Sequence, residues 1–204
     1  MNDPSVPFVT APSIEGLGDY GDSGRRQLAY LQHMRTLNDP LLEKPYVFFA
    51  DDDTFINADA LLKLVSRMNP ACPIYIGHVF SSQWIAGLDY QSGGAGFLST
   101  RECVDRVLPH VFSNKCPYTG YGDHFFAKCA WREKCQLLHS SEFHFMKPPT
   151  VRDANDYDWP VVADAVTFHY VTDAQARAAY GYLQERKSFI DRFLHDHVED
   201  TKDV

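Results

Sequence analysis

The chain has 204 residues, of which 45% are hydrophobic and 23% charged, and its formal net charge is −8. This length and composition suit one globular domain with a sizeable core and exclude a disordered chain. The acidic balance disfavours general attraction to nucleic acid or to an anionic membrane surface, and no apolar run has transmembrane length.

Alternating helical and strand patterns predict α/β layering for this sequence. Residues 1–23 are rich in Pro, Gly, Ser and Asp and are predicted to be coil, and a single domain is predicted over residues 24–204. Ser23 is expected to cap a helix that reaches about Leu37. The apolar run at residues 46–50 contains aromatic and β-branched side chains, which predicts a buried strand.

The predicted elements continue in the same alternation toward the end of the chain. A helix at residues 57–68 and a strand at 73–79 follow, then a strand at 96–99 and a helix that opens at Thr100. Further on come a helix from Asp123 to about Lys134 and strands at 136–139 and 165–170. Asp173 is expected to cap the last long helix, whose apolar stripe consists of Ala176, Tyr180, Leu183, Ile190 and Phe193.

Three adjacent carboxylates, those of Asp51, Asp52 and Asp53, directly follow the strand predicted at residues 46–50. Ligands bind at the carboxyl ends of strands in open α/β sheets, and carboxylates that repel one another there favour a divalent cation. Because alternate side chains of an extended segment share a side, Asp51 and Asp53 are expected to converge while Asp52 points away. The competing interpretation is a solvated acidic turn before a helix.

Three further features carry weaker signals, each with two interpretations. Residues 92–96 contain three glycines, which suit either close approach of the backbone to a ligand or a plain turn. Asp123 lies between a loop and a helix and suits either a helix cap or a general base. His169 ends a predicted strand and suits either a structural role or the nitrogen ligand of an oxygen-rich metal site, as does His144.

Five cysteines are present, without the spacing of a zinc site. Cys116 and Cys129 flank a loop rich in Gly and Tyr and could close it as a disulfide. Buried free thiols are an equally compatible interpretation of the spacing.

In order and in spacing, these segments resemble family 31 glycosyltransferases, the group that contains the fringe proteins and the core 1 β-1,3-galactosyltransferases. The resemblance runs from about Arg25 to Phe193. It rests on residues 46–55, 73–80, 90–100, 115–129, 142–145 and 165–171. It implies a GT-A-type nucleotide-sugar transferase fold, an inverting mechanism and a Mn²⁺ cofactor.

The resemblance also implies roles for single residues. Asp51 and Asp53 match the family's paired metal-binding aspartates, and together with Asp52 they are expected to contact the nucleotide sugar. His169 matches the other protein ligand of the metal, and Asp123 matches the catalytic base.

The expected substrate contacts and the expected disulfide complete this picture. The turn at Gly93, Gly94 and Ala95 is expected to let the backbone approach the substrates, and Trp84 and Tyr170 are expected to stack on a sugar. Cys116 and Cys129 resemble the family disulfide, which implies an oxidising lumenal compartment.

The function that the resemblance implies is transfer of a hexose, galactose first of all, from a UDP-sugar to a glycan or glycoprotein acceptor in β-1,3 linkage. The implied compartment is the Golgi or another secretory-pathway lumen, and a homodimer is compatible with the family. Two competing functions remain: an inactive relative that acts as a binding or chaperone-like protein, and a metal-dependent phosphohydrolase.

Two departures from the family pattern stand in the sequence. Gly122 occupies the position where the family has an acidic residue, immediately before the matched base. The family's first βα units are expected before Arg25, where only a short Pro/Gly-rich stretch stands. The chain is therefore expected to be either an N-terminally truncated form or a shortened relative, without those units and a membrane anchor, and a cytosolic location is expected if the chain is complete as given.

Overall fold

The computed structural model describes residues 23–81, 87–110, 113, 115–116, 121–150 and 157–199, without the side chains of residues 23, 25, 41 and 192–199. The helices are α1 (Ser23–Thr36), α2 (Ala58–Val65), α3 (Arg101–Val107), α4 (Gly122–Arg132), α5 (Trp159–Asp164) and α6 (Asp173–Glu199). The strands are β1 (Tyr46–Phe49), β2 (Phe55–Ile56), β3 (Ile74–Gly77), β4 (Val79–Ser81), β5 (Asp89–Gln91), β6 (Phe97–Thr100), β7 (Gln136–His139), β8 (Phe143–His144) and β9 (Thr167–Phe168).

The described strands form three sheets. The largest has the order β1-β6-β3-β7, in which β6 is antiparallel to both neighbours while β3 and β7 are parallel. A second sheet has the order β2-β9-β8, and β4 and β5 form an antiparallel pair. Helices and mixed sheets therefore make up an α/β fold, as the sequence predicts.

The predicted helices α1 and α3 are confirmed, although Ser23, expected as the cap of α1, is its first helical residue and Thr36 is its last. Leu28 and Met34 of α1 are buried, and the helix ends before Asn38, which has a φ of 52°. Thr100 opens α3 because its side chain accepts a hydrogen bond from the backbone N–H of Cys103.

Two strand predictions differ from the structure. Strand β1 is only half-buried, apart from Phe49, because β6 is its one partner among the described strands. The strand expected at residues 165–170 is reduced to the two residues of β9. The short strands β2, β5 and β8 were not predicted, since two or three residues carry no readable periodicity.

The predicted cap of α6 is wrong by one residue. The Thr172 hydroxyl accepts from the Gln175 backbone N–H, and the Gln175 side chain accepts from the Thr172 N–H, which forms a reciprocal capping box. The buried residue on α6 is Ala179, whereas Tyr180 is 60% exposed; the Phe193 side chain lies outside the described part. Within the described residues, no helix combines the length and apolarity needed to cross a bilayer.

Two hydrophobic clusters set the position of the site. In one, the rings of Phe49, Phe97 and Phe126 lie 4.6–5.3 Å apart and pack β1 and β6 against α4. In the other, Phe55 and Phe168 pack β2 and β9 against α5 and α6. The first cluster brings the end of β1 close to the start of α4, and the second fixes the segment that follows β1.

Asn57 joins α2 to the end of α5, because its Oδ1 accepts from Ala60 N at 3.3 Å and its Nδ2 donates to Ala163 O at 3.2 Å. Asn57→Ala is expected to lower the free energy of unfolding, measured in urea, by about 2 kcal/mol, since it removes a helix cap and a buried donor. The control Asn69→Ala removes only an exposed turn bond to Ala71 N and is expected to cost less than about 0.5 kcal/mol. Equal losses would contradict this role.

Candidate functional site

The three consecutive aspartates leave β1 in a tight turn and not in the extended segment expected from the sequence. Thr54 N donates to Asp51 O at 3.2 Å, and the Thr54 hydroxyl accepts from Asp51 N at 3.2 Å. Asp52 is exposed at the tip of this turn, whereas Asp51 and Asp53 are half-buried. The expected convergence of Asp51 and Asp53 is therefore present, but the turn produces it.

The small sheet β2-β9-β8 brings His169 to this turn across more than a hundred residues of sequence. Phe55 lies opposite Phe168, and Val171 N donates to Asp53 O at 3.0 Å. Between these contacts, His169 Nε2 lies 3.3 Å from Asp53 Oδ1. The position of His169 thus follows from the β2–β9 pairing before it and from the backbone hydrogen bond between Val171 and Asp53 after it.

Asp51, Asp53 and His169 each offer one ligand atom, and these atoms lie within 4.8 Å of one another. Burial raises the pKa of Asp51; the His169 imidazole opposes this shift, while Asp53, Asp123 and Asp52 add to it. Two carboxylate oxygens and one imidazole nitrogen suit a divalent cation such as Mn²⁺ or Mg²⁺, which would relieve that repulsion. The donor set therefore fits the metal that the sequence implies.

The glycine turn lies against His169 and against Asp123. A Cβ on Gly94 would lie 2.0 Å from His169 Cε1, so only glycine leaves room for the imidazole. On the adjacent residue, Gly93 N donates to Asp123 Oδ2 at 3.1 Å. The Gly94 carbonyl accepts from the Thr54 hydroxyl at 2.8 Å, which connects the turn to the aspartate loop. Thr54 was missed by the sequence reasoning, although its place directly after the three aspartates was a usable signal.

Asp123 occupies the first turn of α4 but is not its cap. The cap position belongs to Tyr121, which makes no side-chain capping bond. Asp123 Oδ1 accepts from His124 N at 2.8 Å, and Oδ2 accepts from Gly93 N. Backbone donors from two segments therefore orient this carboxylate, and capping does not account for it.

A cavity of about 410 Å³ joins the candidate metal site, the glycine turn and the carboxylate on α4. Its lining residues include Asp51, His169, Gly93, Gly94 and Asp123. Tyr170 also lines it, and the expected contact of Tyr170 with a sugar stays a prediction.

Ala95 does not line the cavity, which corrects the prediction for it. Its side chain is fully buried and its carbonyl accepts from the Thr167 hydroxyl at 2.5 Å. Trp84 lies outside the described residues. The sequence reasoning missed lining residues whose only signal was their type and proximity to motifs: Gln27, Phe80, Tyr121, Phe145 and Met146.

Gly122 has a structural partner at the start of α1. A Cβ on Gly24 would lie 2.2 Å from Gly122 Cα, so the backbones of α1 and α4 touch at their first turns. This contact places Gln27 of α1 at the cavity. The position where the family pattern has an acidic residue is therefore a site of close helix packing here.

Cys116 and Cys129 lie side by side, both buried, with their Cα atoms 5.5 Å apart. That spacing is the one that a disulfide requires. Among the other described cysteines, Cys103 and Cys135 are buried and adjacent, and burial raises the pKa of the Cys103 thiol.

The mixed α/β scaffold has the GT-A type of glycosyltransferase fold. It holds Asp51, Asp53 and His169 close together, and the glycine turn separates them from Asp123. The Fringe-like family model matches residues 21–185, and the chain therefore belongs to the Fringe-like family, within family 31 of the glycosyltransferases. GT-A glycosyltransferases generally use a divalent metal, which agrees with the donor set.

The individual relatives share limited sequence identity with this chain. Chondroitin sulfate synthase 3 of Mus musculus is 23% identical over 201 residues, 88% of this chain and 21% of that protein. Glycoprotein-N-acetylgalactosamine 3-beta-galactosyltransferase 1 of Xenopus laevis is 35% identical over 79 residues, 39% of this chain and 21% of that protein. The Homo sapiens beta-1,3-glucosyltransferase is 28% identical over 118 residues, 56% of this chain and 23% of that protein. The chain thus spans about a fifth of the length of the curated relatives it matches.

Gly94→Ala is expected to displace the His169 imidazole and to weaken Mn²⁺ binding about 10- to 100-fold, the usual effect of disturbing a ligand's support. Titration calorimetry measures the affinity. Gly181→Ala is the matched control, because nothing lies within 4 Å of a Cβ placed there, and it should leave the affinity unchanged. Wild-type Mn²⁺ affinity in Gly94→Ala would show that His169 does not hold the metal.

The raised pKa of Asp51 predicts that the stability of the metal-free protein depends on pH. The folded state holds this proton more tightly than the unfolded state, so stability falls as pH rises from about 3.8 through the raised pKa. Asp51→Asn does not titrate, and its stability in chelator should rise relative to wild type over that interval.

Saturating Mn²⁺ should reverse this order, since the wild type, which has all three candidate ligands, gains more binding energy than Asp51→Asn. Calorimetric melting at several pH values measures both effects. Asp173→Asn, whose side chain is 97% exposed, is the control and should follow wild type throughout. A difference between Asp51→Asn and wild type that does not change with pH would contradict the prediction.

Proposed function

We propose that this site transfers a hexose from a UDP-sugar to a hydroxyl group of a glycan or glycoprotein acceptor, with inversion at the anomeric carbon. The observation that carries the proposal is one cavity bordered by Asp51 and His169 on one side of the Gly93–Gly94 turn and by Asp123 on the other. Membership of a glycosyltransferase family supports the reaction class.

In this proposal, Asp51, Asp53 and His169 hold a divalent cation, for which Mn²⁺ is our assignment. When bound, the cation supplies charge stabilisation for the diphosphate leaving group. Asp52, exposed at the tip of the same turn, contacts the nucleotide from the solvent side. The exposure of the three side chains supports these different roles. Asp51 and Asp53 are half-buried next to the His169 imidazole, whereas Asp52 is exposed to solvent.

Asp123 acts as the general base in this proposal. It accepts the proton of the acceptor hydroxyl, whose oxygen forms the new bond to the anomeric carbon as the bond from that carbon to the diphosphate breaks. Attack from the face opposite the leaving group converts an α-linked donor into a β-linked product. The hydrogen bonds from Gly93 N and His124 N orient the carboxylate before substrate binds, which lowers the cost of reorganisation.

Galactose is proposed as the donor sugar and β-1,3 as the linkage. The names of the matched relatives support these two assignments to different degrees. One matched relative is named as a 3-beta-galactosyltransferase and another as a beta-1,3-glucosyltransferase. The two names give the same β linkage to position 3 but different sugars. The linkage is therefore the better supported of the two.

We also propose that Cys116 and Cys129 form a disulfide and that the protein works in the Golgi or another lumen of the secretory pathway. Disulfides persist in such oxidising compartments. The 5.5 Å separation of the two Cα atoms supports the bond.

The test of the base is Asp123→Asn. With UDP-galactose, Mn²⁺ and an N-acetylgalactosamine peptide, it is expected to lower kcat about 10²- to 10⁴-fold, since the amide cannot accept the proton. Calorimetric affinity for UDP with Mn²⁺ should stay close to wild type, because Asp123 is not a metal ligand in this scheme.

Asp173→Asn is the matched surface control and should retain full transfer. UDP-glucose, UDP-N-acetylglucosamine and UDP-glucuronic acid are run in parallel to assign the donor. Full transfer by Asp123→Asn, or transfer that persists in chelator, would refute the mechanism. Tight UDP binding without transfer from any donor would instead favour a binding role.

A further inference from the structure

Two cysteines that the proposed reaction does not use lie together near the end of α4. Cys103 is on α3 and Cys135 directly precedes β7, and both side chains are buried. The Cys135 thiol donates to the backbone carbonyl of Cys103 at 3.8 Å, and the two thiols are hydrogen-bonded to each other. Two segments that are 32 residues apart in the sequence therefore bring their sulfur atoms together.

Backbone hydrogen bonds fix the position of both cysteines. The N–H of Cys103 donates to the Thr100 hydroxyl at the start of α3, and the N–H of Cys135 donates to the Ala130 carbonyl of α4 at 2.8 Å. Lys134, which has a φ of 58°, turns the chain from the end of α4 toward β7. The two sulfur atoms therefore meet because two ordered backbone segments meet.

Two further side chains join α3 and the residues after it to the same turn. Arg106 Nη1 donates to the Glu133 carbonyl at 3.4 Å, and His110 Nε2 lies 2.9 Å from Glu133 Oε1. These contacts hold the two segments together without a covalent bond. A bond between the sulfur atoms of Cys103 and Cys135 therefore requires little movement of the backbone.

The surroundings of the pair favour a disulfide over a metal site. Cys103 and Cys135 belong to a hydrophobic cluster that also contains Tyr75 and Phe126. Among the described residues, only the trio at the aspartate turn brings three His, Cys, Asp or Glu ligand atoms close enough to share an ion. Two thiols without further ligands do not complete a metal site.

Cys135 is the member of the pair that solvent reaches. It lines a second cavity, of about 450 Å³, together with Trp131 and His139, whereas Cys103 is fully buried. Burial raises the pKa of the Cys103 thiol, so its thiolate is scarce in the folded protein and thiol–disulfide exchange there is slow. A bond between the two is therefore expected to form while the chain folds.

We propose that Cys103 and Cys135 form a second disulfide, nested around the proposed bond between Cys116 and Cys129, and that it joins α3 to the start of β7. This inference rests on the oxidising compartment named in the proposed function. The second bond would hold both ends of the segment that contains α4 and the proposed base.

The oxidation consumes one molecule of a disulfide oxidant such as oxidised glutathione. One sulfur of the pair displaces a thiolate from the oxidant and forms a mixed disulfide, and the other sulfur then displaces the second thiolate. The new S–S bond replaces the S–S bond of the oxidant. The two cysteine thiols lose two electrons in total, and their protons pass to the released thiolates.

Peptide mapping tests the pairing, because trypsin cleaves between every two successive cysteines of this chain. The purified protein is unfolded in urea with reductant, refolded in a mixture of reduced and oxidised glutathione, and checked by circular dichroism. Free thiols are blocked with N-ethylmaleimide in urea before digestion. The expected product is residues 102–106 cross-linked to residues 135–152, which reductant separates.

Blocked thiols at both Cys103 and Cys135 would overturn the inference, as would a bond from either of them to another cysteine. If the spectrum of the folded protein is not regained, the same two outcomes are read from protein that was never unfolded and was held in the glutathione mixture at pH 8.5, where thiolates are more abundant.

The peptides of the first disulfide, residues 116–128 and 129–132, report on that bond separately. If they are cross-linked while Cys103 and Cys135 are blocked, the second bond is refuted and the first stays supported. If neither cross-link is found, both bonds are refuted. Neither outcome depends on sugar transfer, which the Asp123→Asn assay measures.

Thermal melting gives a second measurement. Reductant should lower the Tm of oxidised wild-type protein by roughly 4–15 °C more than that of Cys135→Ala, since the variant has no second bond to lose. Cys72→Ala removes a cysteine outside both pairs and is the matched control, which should respond to reductant as wild type does. An equal response of Cys135→Ala and wild type would contradict the second bond.

Discussion

The contact between the Gly94 backbone and the His169 ring is the constraint on which the site depends. No side chain fits between them, since a Cβ on Gly94 would lie 2.0 Å from the imidazole. The same turn accepts a hydrogen bond from Thr54 and donates one to Asp123. One backbone turn therefore sets Thr54, His169 and Asp123 relative to one another, and a shift of the turn would disturb all three together.

Electrostatics supply the second constraint. Asp51 is half-buried beside further carboxylates, and its raised pKa records the cost of keeping that charge without a cation. The protein as a whole is acidic, with a net charge of −8, so general attraction cannot hold a nucleotide diphosphate. A cation held by Asp51, Asp53 and His169, as proposed, would offset both the repulsion among these carboxylates and the repulsion between the protein and a diphosphate ligand.

The relatives that match this chain have names that specify different sugars. The chain shares the Fringe-like family with them, over about a fifth of their length. The cavity of this chain is also lined by Phe80, Phe145 and Met146, side chains that lie on β4 and after β8.

The sequence by itself determined the helices with a strong apolar period, the fold class, and the identity of Asp51, Asp53, Asp123 and His169 as candidate residues, because their residue types and order form a recognisable pattern. It could not determine that the aspartates converge through a turn, nor that α6 is capped by Thr172, because each depends on single hydrogen bonds. Only the tertiary structure decided which residues meet. Strand pairing between β2 and β9 brings Asp53 to His169, and a hydrogen bond from Gly93 N brings the glycine turn to Asp123. Contacts between such distant segments leave no local period in the sequence to be read.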